Sequence, residues 1–149
     1  MSKPIFILDP HLEIPLPRRI LTDNPNVTLI HDDQVPFAKQ QRLQAQAVQL
    51  VAVPSQSPDC LDLQAVLAVL GQRGVHDVWV EAGGTLLMQL LQANLVQRAV
   101  FYVAAKTLGD MAQPAFTQAL NLAQQARSVQ WQALGKDGMC TIEWEVTDV

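Results

Sequence analysis

The chain has 149 residues, 49% of them apolar, and a net charge of −4. That is the size of one domain with enough apolar material for a core, and the acidic balance argues against nucleic acid or an anionic membrane surface as a partner. The two isolated cysteines, Cys60 and Cys140, read as reduced thiols of a cytoplasmic protein; no secretory signal opens the chain and no run is long enough to span a bilayer.

Taken in chain order, the elements alternate. Pro4 to Leu8 is a short, fully apolar run, as expected of a strand buried on both faces. Asp9-Pro10 ends it, because proline cannot donate to a ladder. Val27 to His31 is a second strand, preceded by the turn formers Asp23-Asn24-Pro25-Asn26. Val35 to Ala47 is Gln-rich and reads as a surface connection with one helical turn. Val48 to Val53 is a third strand, and Pro54 to Cys60 a loop. Leu63 to Arg73 is a helix capped by Asp62, with Gly74 at its C′ position. Asp77 to Glu81 reads as a fourth strand, Thr85 to Ala93 as a helix, and Ala99 to Ala104 as a fifth strand parallel to the others. Ala115 to Ala126 is weakly amphipathic and reads as helical. Ser128 to Leu134 and Met139 to Val146 flank Lys136-Asp137-Gly138, a hairpin with one buried face. The three tryptophans fall inside strand patterns, which predicts core packing for them. The fold class expected is α/β: a mixed, mostly parallel sheet flanked by helices and closed by an antiparallel hairpin.

One stretch points to chemistry. Val78-Trp79-Val80-Glu81-Ala82-Gly83-Gly84-Thr85-Leu86-Leu87 runs from an apolar strand through an acid and two glycines into a helical pattern. At such a turn the free N–H groups and the positive end of the helix dipole face one spot. Glycines there let an anion approach the backbone, which makes a phosphate site beside a fixed carboxylate. The residues are equally those of an ordinary Gly-rich strand-to-helix turn. The G-x-G-x-x-G dinucleotide fingerprint is absent.

Other site chemistries find little support. His11, His31 and His76 have no metal-ligand spacing, and neither a H-x-E nor a P-C-x-x-C is present. No G-x-S-x-G elbow occurs. Cys60 follows Pro58-Asp59 without a basic neighbour to lower its pKa.

The block from Val66 to Asp110 resembles the C-terminal reductase domain of the bifunctional riboflavin-biosynthesis deaminase/reductase. That family runs from a helix ending in R-G, through a strand, into V-E-G-G-x-T/S-L or a close variant, then a helix, a short link, a strand and A-P-K-L-L-G. Here Arg73-Gly74, Val80 to Leu86, Gln97-Arg98-Ala99 and Ala104 to Gly109 take those places. Ile5-Phe6-Ile7-Leu8-Asp9 with Ile14-Pro15 resembles the family's V-V-L-D-S with a downstream I/L-P. The resemblance implies a dihydrofolate-reductase-like fold, NADPH as cofactor, and reduction of 5-amino-6-(5-phosphoribosylamino)uracil to the ribitylamino product. It implies that Glu81 contacts substrate and that Gly83, Gly84, Thr85, Leu86, Leu87, Met88 and Gln89 hold NADPH. It assigns no further catalytic residue and no metal. Lys106 is a cationic candidate, with a solvated surface lysine as the equal alternative.

The departures are specific. Ala82 stands for a frequent Gly, Ala105 for a frequent Pro, and Pro10 for a Ser that can touch the cofactor. The family's early S-x-D-G motif and its D-(D/N)-P stretch have no counterpart here. Residues 1–149 therefore read as one reductase domain lacking its N-terminal part, expected to self-associate as a homo-oligomer because unpaired sheet edges need covering. A folded but catalytically silent module is the alternative.

Overall fold

The computed structural model describes residues 3–116, 122 and 126–145. It divides into two compact units, Met1–Val78 and Trp79–Val149.

The first unit is built on three strands, β1 (Ile5–Leu8), β2 (Val27–Asp32) and β3 (Gln49–Val53), in the order β1-β2-β3. Both pairings are parallel, with Ile5 opposite Val27 and Thr28 opposite Gln49. β2 lies in the middle, and its first five residues are all buried. Its side chains feed two cores. Val27 and Leu29 pack with Leu12, Val35 and Leu43 on one face. Ile30 packs with Val53, Leu61, Val66 and Leu70 on the other. A parallel strand covered on both faces shows no polar–apolar alternation, and its two polar members, Thr28 and His31, are buried with hydrogen bonds to the Gln49 side chain and to Asp32 O.

Helices supply the covers. The one-turn α1 (Arg19–Thr22) precedes β2, and α2 (Phe37–Gln44) joins β2 to β3. The sequence predicts a single turn for that connection. Two turns form because Gln, Lys and Arg are good helix formers, and Leu43 is anchored in the core at 2% exposure. α3 (Leu63–Gln72) buries Leu63, Val66 and Leu70. The Asp62 carboxylate accepts the N–H groups of Gln64 and Ala65 at 2.9 and 3.0 Å. Gly74, at φ 76°, closes the far end, where Gly74 N–H donates to Gly71 O and Val75 N–H to Leu70 O. Pro54 to Cys60, expected as loop, supplies most of a small antiparallel hairpin, β4 (Ser55–Ser57) with β5 (Cys60–Leu61). Its turn is Pro58-Asp59, a pair of turn formers.

The second unit begins with α4 (Gly84–Gln92), followed by β6 (Arg98–Val103), β7 (Ala126–Leu134) and β8 (Asp137–Trp144). These strands form an antiparallel sheet in the order β6-β8-β7. Rows run across it: Ala99, Ile142 and Val129; then Phe101, Cys140 and Trp131. Arg98 faces Glu143 in register, with their ion pair at 2.7 Å. The hairpin turn is Gly135-Lys136, one residue before the expected site, and Gly135 at φ 63° supplies the positive first position of a type II′ turn.

Three expectations are corrected. Residues 77–82 join no sheet among the described residues. An apolar run is only half of a strand; the other half is a ladder partner, which periodicity cannot name. β6 pairs antiparallel with β8 rather than parallel with an earlier strand, and β8 pairs with β7 across the tight hairpin. Trp79 and Trp131 are 74% and 69% exposed, so neither is a core residue. The expected helix at Ala115–Ala126 falls largely outside the described residues.

Leu29 is wholly inaccessible on the central strand. Leu29→Ala should lower unfolding free energy by about 2–5 kcal/mol, read from the midpoint in denaturant. A loss under about 0.5 kcal/mol, the range of surface changes, would remove β2 from the centre of the fold.

Candidate functional site

Two local arrangements can bind ligands, and each belongs to one unit. In the second, Glu81 is exposed and Ala82 and Gly83 lead into α4. Gly83 is the N-cap residue, at φ −72° and ψ 171°, and no side chain caps the helix. The first intrahelical bond runs from Leu87 N–H to Gly83 O at 3.1 Å. The N–H groups of Gly84, Thr85 and Leu86 precede it and have no partner inside the helix. With the helix dipole behind them they form an anion-attracting end.

The two glycines do different work. A Cβ on Gly83 would meet nothing within 4 Å, whereas one on Gly84 would run into the carbonyl oxygen of Ala115. Gly84 is therefore required by the chain's own backbone, which passes against it. The open approach to the helix end lies at Gly83. The expected residues divide accordingly. Glu81, Gly83 and Thr85 are exposed, Leu86, Leu87 and Gln89 are half-buried, and Met88 is buried in the unit's interior. The Met88 side chain thus has no route to a ligand, while backbone donors as far as Leu86 do.

In the first unit, an open cleft of about 550 Å³ lies at the carboxyl ends of the parallel strands, lined by His11, Glu13, Asp32, Gln34, Val35, Pro36, Lys39, Pro58 and Asp59. Open parallel sheets bind ligands at that end. Three connections build it. After β1, the Asp9 carboxylate accepts the N–H groups of Glu13 and Ile14 at 2.9 and 2.8 Å, which folds the loop back and presents His11. After β2, the Asp32 carboxylate accepts the Gln34 N–H at 2.7 Å. The nearby Ser55 hydroxyl, and then the Gln34 backbone N–H, hold Asp32 below the usual carboxylate range. From the β4–β5 turn, Asp59 Oδ1 lies 2.8 Å from His11 Nε2. That hydrogen bond raises the His11 pKa above the usual histidine value, more than its partial desolvation lowers it. The pair therefore favours the fold at low pH and loses its contribution as pH rises through the raised value. Lys39 Nζ donates to His11 O at 3.0 Å.

Sequence reading missed this cleft. It treated His11 as isolated, although Asp59 is 48 positions away and 2.8 Å distant. The available signal was positional, since Asp9 and Asp32 each follow an apolar parallel strand. His31 is structural. It is 1% exposed, and its Nδ1 donates to Asp32 O at 2.8 Å, an acceptor-only group that fixes the proton on Nδ1. No group of three or more potential metal ligands occurs among the described residues.

The model of the RibD C-terminal domain matches residues 2–140. The chain belongs to the RibD C-terminal domain family. It is 35% identical over 112 residues to the riboflavin biosynthesis protein RibD of Escherichia coli, covering 69% of this chain and 30% of that protein. It is 39% identical over 54 residues to the 5-amino-6-(5-phosphoribosylamino)uracil reductase of Buchnera aphidicola, covering 36% of this chain and 26% of that one. The solved structure of Acinetobacter baumannii RibD superposes with a TM-score of 0.71 at 27% identity, over 93% of this chain and 36% of that chain. The chain thus spans about a third of the RibD proteins it matches. The dihydrofolate-reductase-like α/β class inferred from the Gly74–Gly109 block is the fold of this RibD C-terminal domain family. No helix among the described residues is long and apolar enough to cross a membrane.

The glycine asymmetry is testable in the free protein. Gly83→Ala should leave the melting temperature nearly unchanged, because its backbone angles suit any residue. Gly84→Ala should destabilise by about 1–3 kcal/mol, the usual cost of overpacking. Equal effects on the melting temperature would contradict the assignment.

Proposed function

We propose that this chain serves reduction in riboflavin biosynthesis, with NADPH reducing 5-amino-6-(5-phosphoribosylamino)uracil to its ribitylamino product. The family match over residues 2–140 carries the reading. The uncapped start of α4 supports it, because it fits a phosphate: free N–H groups, a positive dipole end and open space at Gly83. Nicotinamide, when bound, supplies the hydride that goes to carbon 1′ of the opened ribose. The residues of this chain bind and orient. Gly83, Gly84, Thr85 and Leu86 hold a phosphate group through their backbones, and Leu87, Met88 and Gln89 support them as the continuing helix. Glu81 accepts hydrogen bonds from a polar substrate group.

In this reading Glu81→Gln keeps shape and much of the hydrogen bonding but removes the charge. Substrate turnover should fall about 10–100-fold, in line with loss of a charge-assisted bond, with NADPH affinity little altered. Gly83→Val should weaken NADPH binding by fluorescence titration without a matching loss of stability. Equal effects of Glu81→Gln on substrate and cofactor would overturn its assigned role.

The protein is proposed to work in the cytoplasm and as a homo-oligomer. β7 is an edge strand of its sheet among the described residues, and it displays Val129 and Trp131 at 44% and 69% exposure. A second copy pairing edge to edge would satisfy the ladder and cover these side chains. Trp131→Lys should then shift the molar mass from light scattering towards that of a monomer. An unchanged oligomer would place the contact elsewhere, and a wild-type monomer would end the proposal.

A further inference from the structure

We propose that the hydrogen bond between His11 and Asp59 is a latch on the first unit's cleft, closed while the His11 ring is protonated and released when it is neutral, with the Pro58-Asp59 tip of the β4–β5 hairpin as the part that moves. Both sides of the latch belong to the first unit.

His11 stands on the fixed side. The Asp9 carboxylate holds the N–H groups of Glu13 and Ile14, and Lys39 Nζ donates to the His11 carbonyl oxygen. Leu12, between His11 and Glu13, is buried in the core and takes φ 53°. That is a left-handed conformation which a leucine keeps only where its surroundings hold it. With Leu12 turned into the core, His11 and Glu13 line the cleft.

Asp59 stands on the loose side. The base of its hairpin is pinned: Leu61 is buried against Ile30 and Val53, and the Asp62 N–H donates to Pro54 O at 2.9 Å. Above the base the ladder is short and irregular, pairing Ser55 with Leu61 and Ser57 with Cys60 across a register shift. Two strands by themselves are marginally stable. The Asp59 side chain is 90% exposed, and among the described residues its tie beyond the hairpin is the bond to His11.

Charge works the latch. The charged groups facing His11 are Asp59, Glu13 and, from α2, Lys39, with Asp32 at the end of β2. A protonated ring donates from Nε2 to the Asp59 carboxylate in a charge-assisted bond. A neutral ring donates from Nε2 in one of its two tautomers, and without the charge. Glu13, Asp32 and Asp59 then share the cleft with Lys39 as the one cation among its lining residues, and their mutual repulsion drives the tip outward. The upward shift that Asp59 imposes on the His11 pKa is the same coupling seen from the ring, so the latch is closed at low pH and opens as pH rises through the raised value.

The test follows the full 149-residue chain by NMR from about pH 5 to 9, a range that spans histidine titration. It reads the His11 ring titration and the backbone order parameters of Ser57, Asp59 and Cys60. The three amides should be ordered at the acid end and lose order as His11 titrates, with the closed-to-open ratio changing about two- to fivefold, the range of exposed charge pairs. Asp59→Asn should leave the tip loose at every pH and move the His11 midpoint down. His11→Lys, which keeps a charge at that position, should keep the tip ordered throughout. Order that stays constant through the His11 titration would overturn the latch. So would a His11 midpoint unmoved by Asp59→Asn, or a tip that loosens with pH in His11→Lys as it does in the wild type.

Discussion

Everything in the first unit depends on β2 having no solvent face. Its residues serve two cores at once: Val27 and Leu29 on one side, Ile30 on the other. A strand so placed cannot slip by one position, because slippage would exchange every side chain between the two cores. The register with β1 and β3 is thereby fixed, and with it the level at which all three strands end. Asp9, Asp32 and Pro54 emerge together at that level. The cleft is a consequence of β2's burial, since the loops that line it start from ends the core has already aligned.

That dependence explains what the sequence revealed and what it withheld. β1, β2, β3, α3 and α4 were legible because each carries its own instruction: an unbroken apolar run, a capping Asp62, a Gly74 where the helix must end. The small hairpin β4–β5 and the second turn of α2 were not. Their residues are polar and individually undecided, and they form because Leu61 and Leu43 are drawn into a core defined elsewhere. Residues 77–82 show the converse. Val78, Trp79 and Val80 have every local property of a strand, yet they lie outside any described sheet at 46%, 74% and 46% exposure. Strand propensity is a statement about fitting a pleated surface, and it is silent when no surface is offered.

The Gly83-Gly84 pair illustrates a limit of motif reading. Both glycines fit the same argument from sequence, that a missing Cβ admits an anion. The structure separates them: Gly84 yields its space to the backbone at Ala115, and Gly83 leaves its space open. The resemblance to the riboflavin reductases points to this turn, but only packing distinguishes the glycine needed to build it from the one whose space stays open.

The two candidate arrangements also differ in sign, and for different physical reasons. At α4 the field is that of backbone dipoles, positive and carried by no titratable group, so it persists across pH. In the first unit it comes from side chains, carboxylates in excess, with His11 held protonated to higher pH by its hydrogen bond to Asp59. The α4 end therefore attracts anions whatever the pH, whereas the cleft grows more acidic as His11 loses its proton.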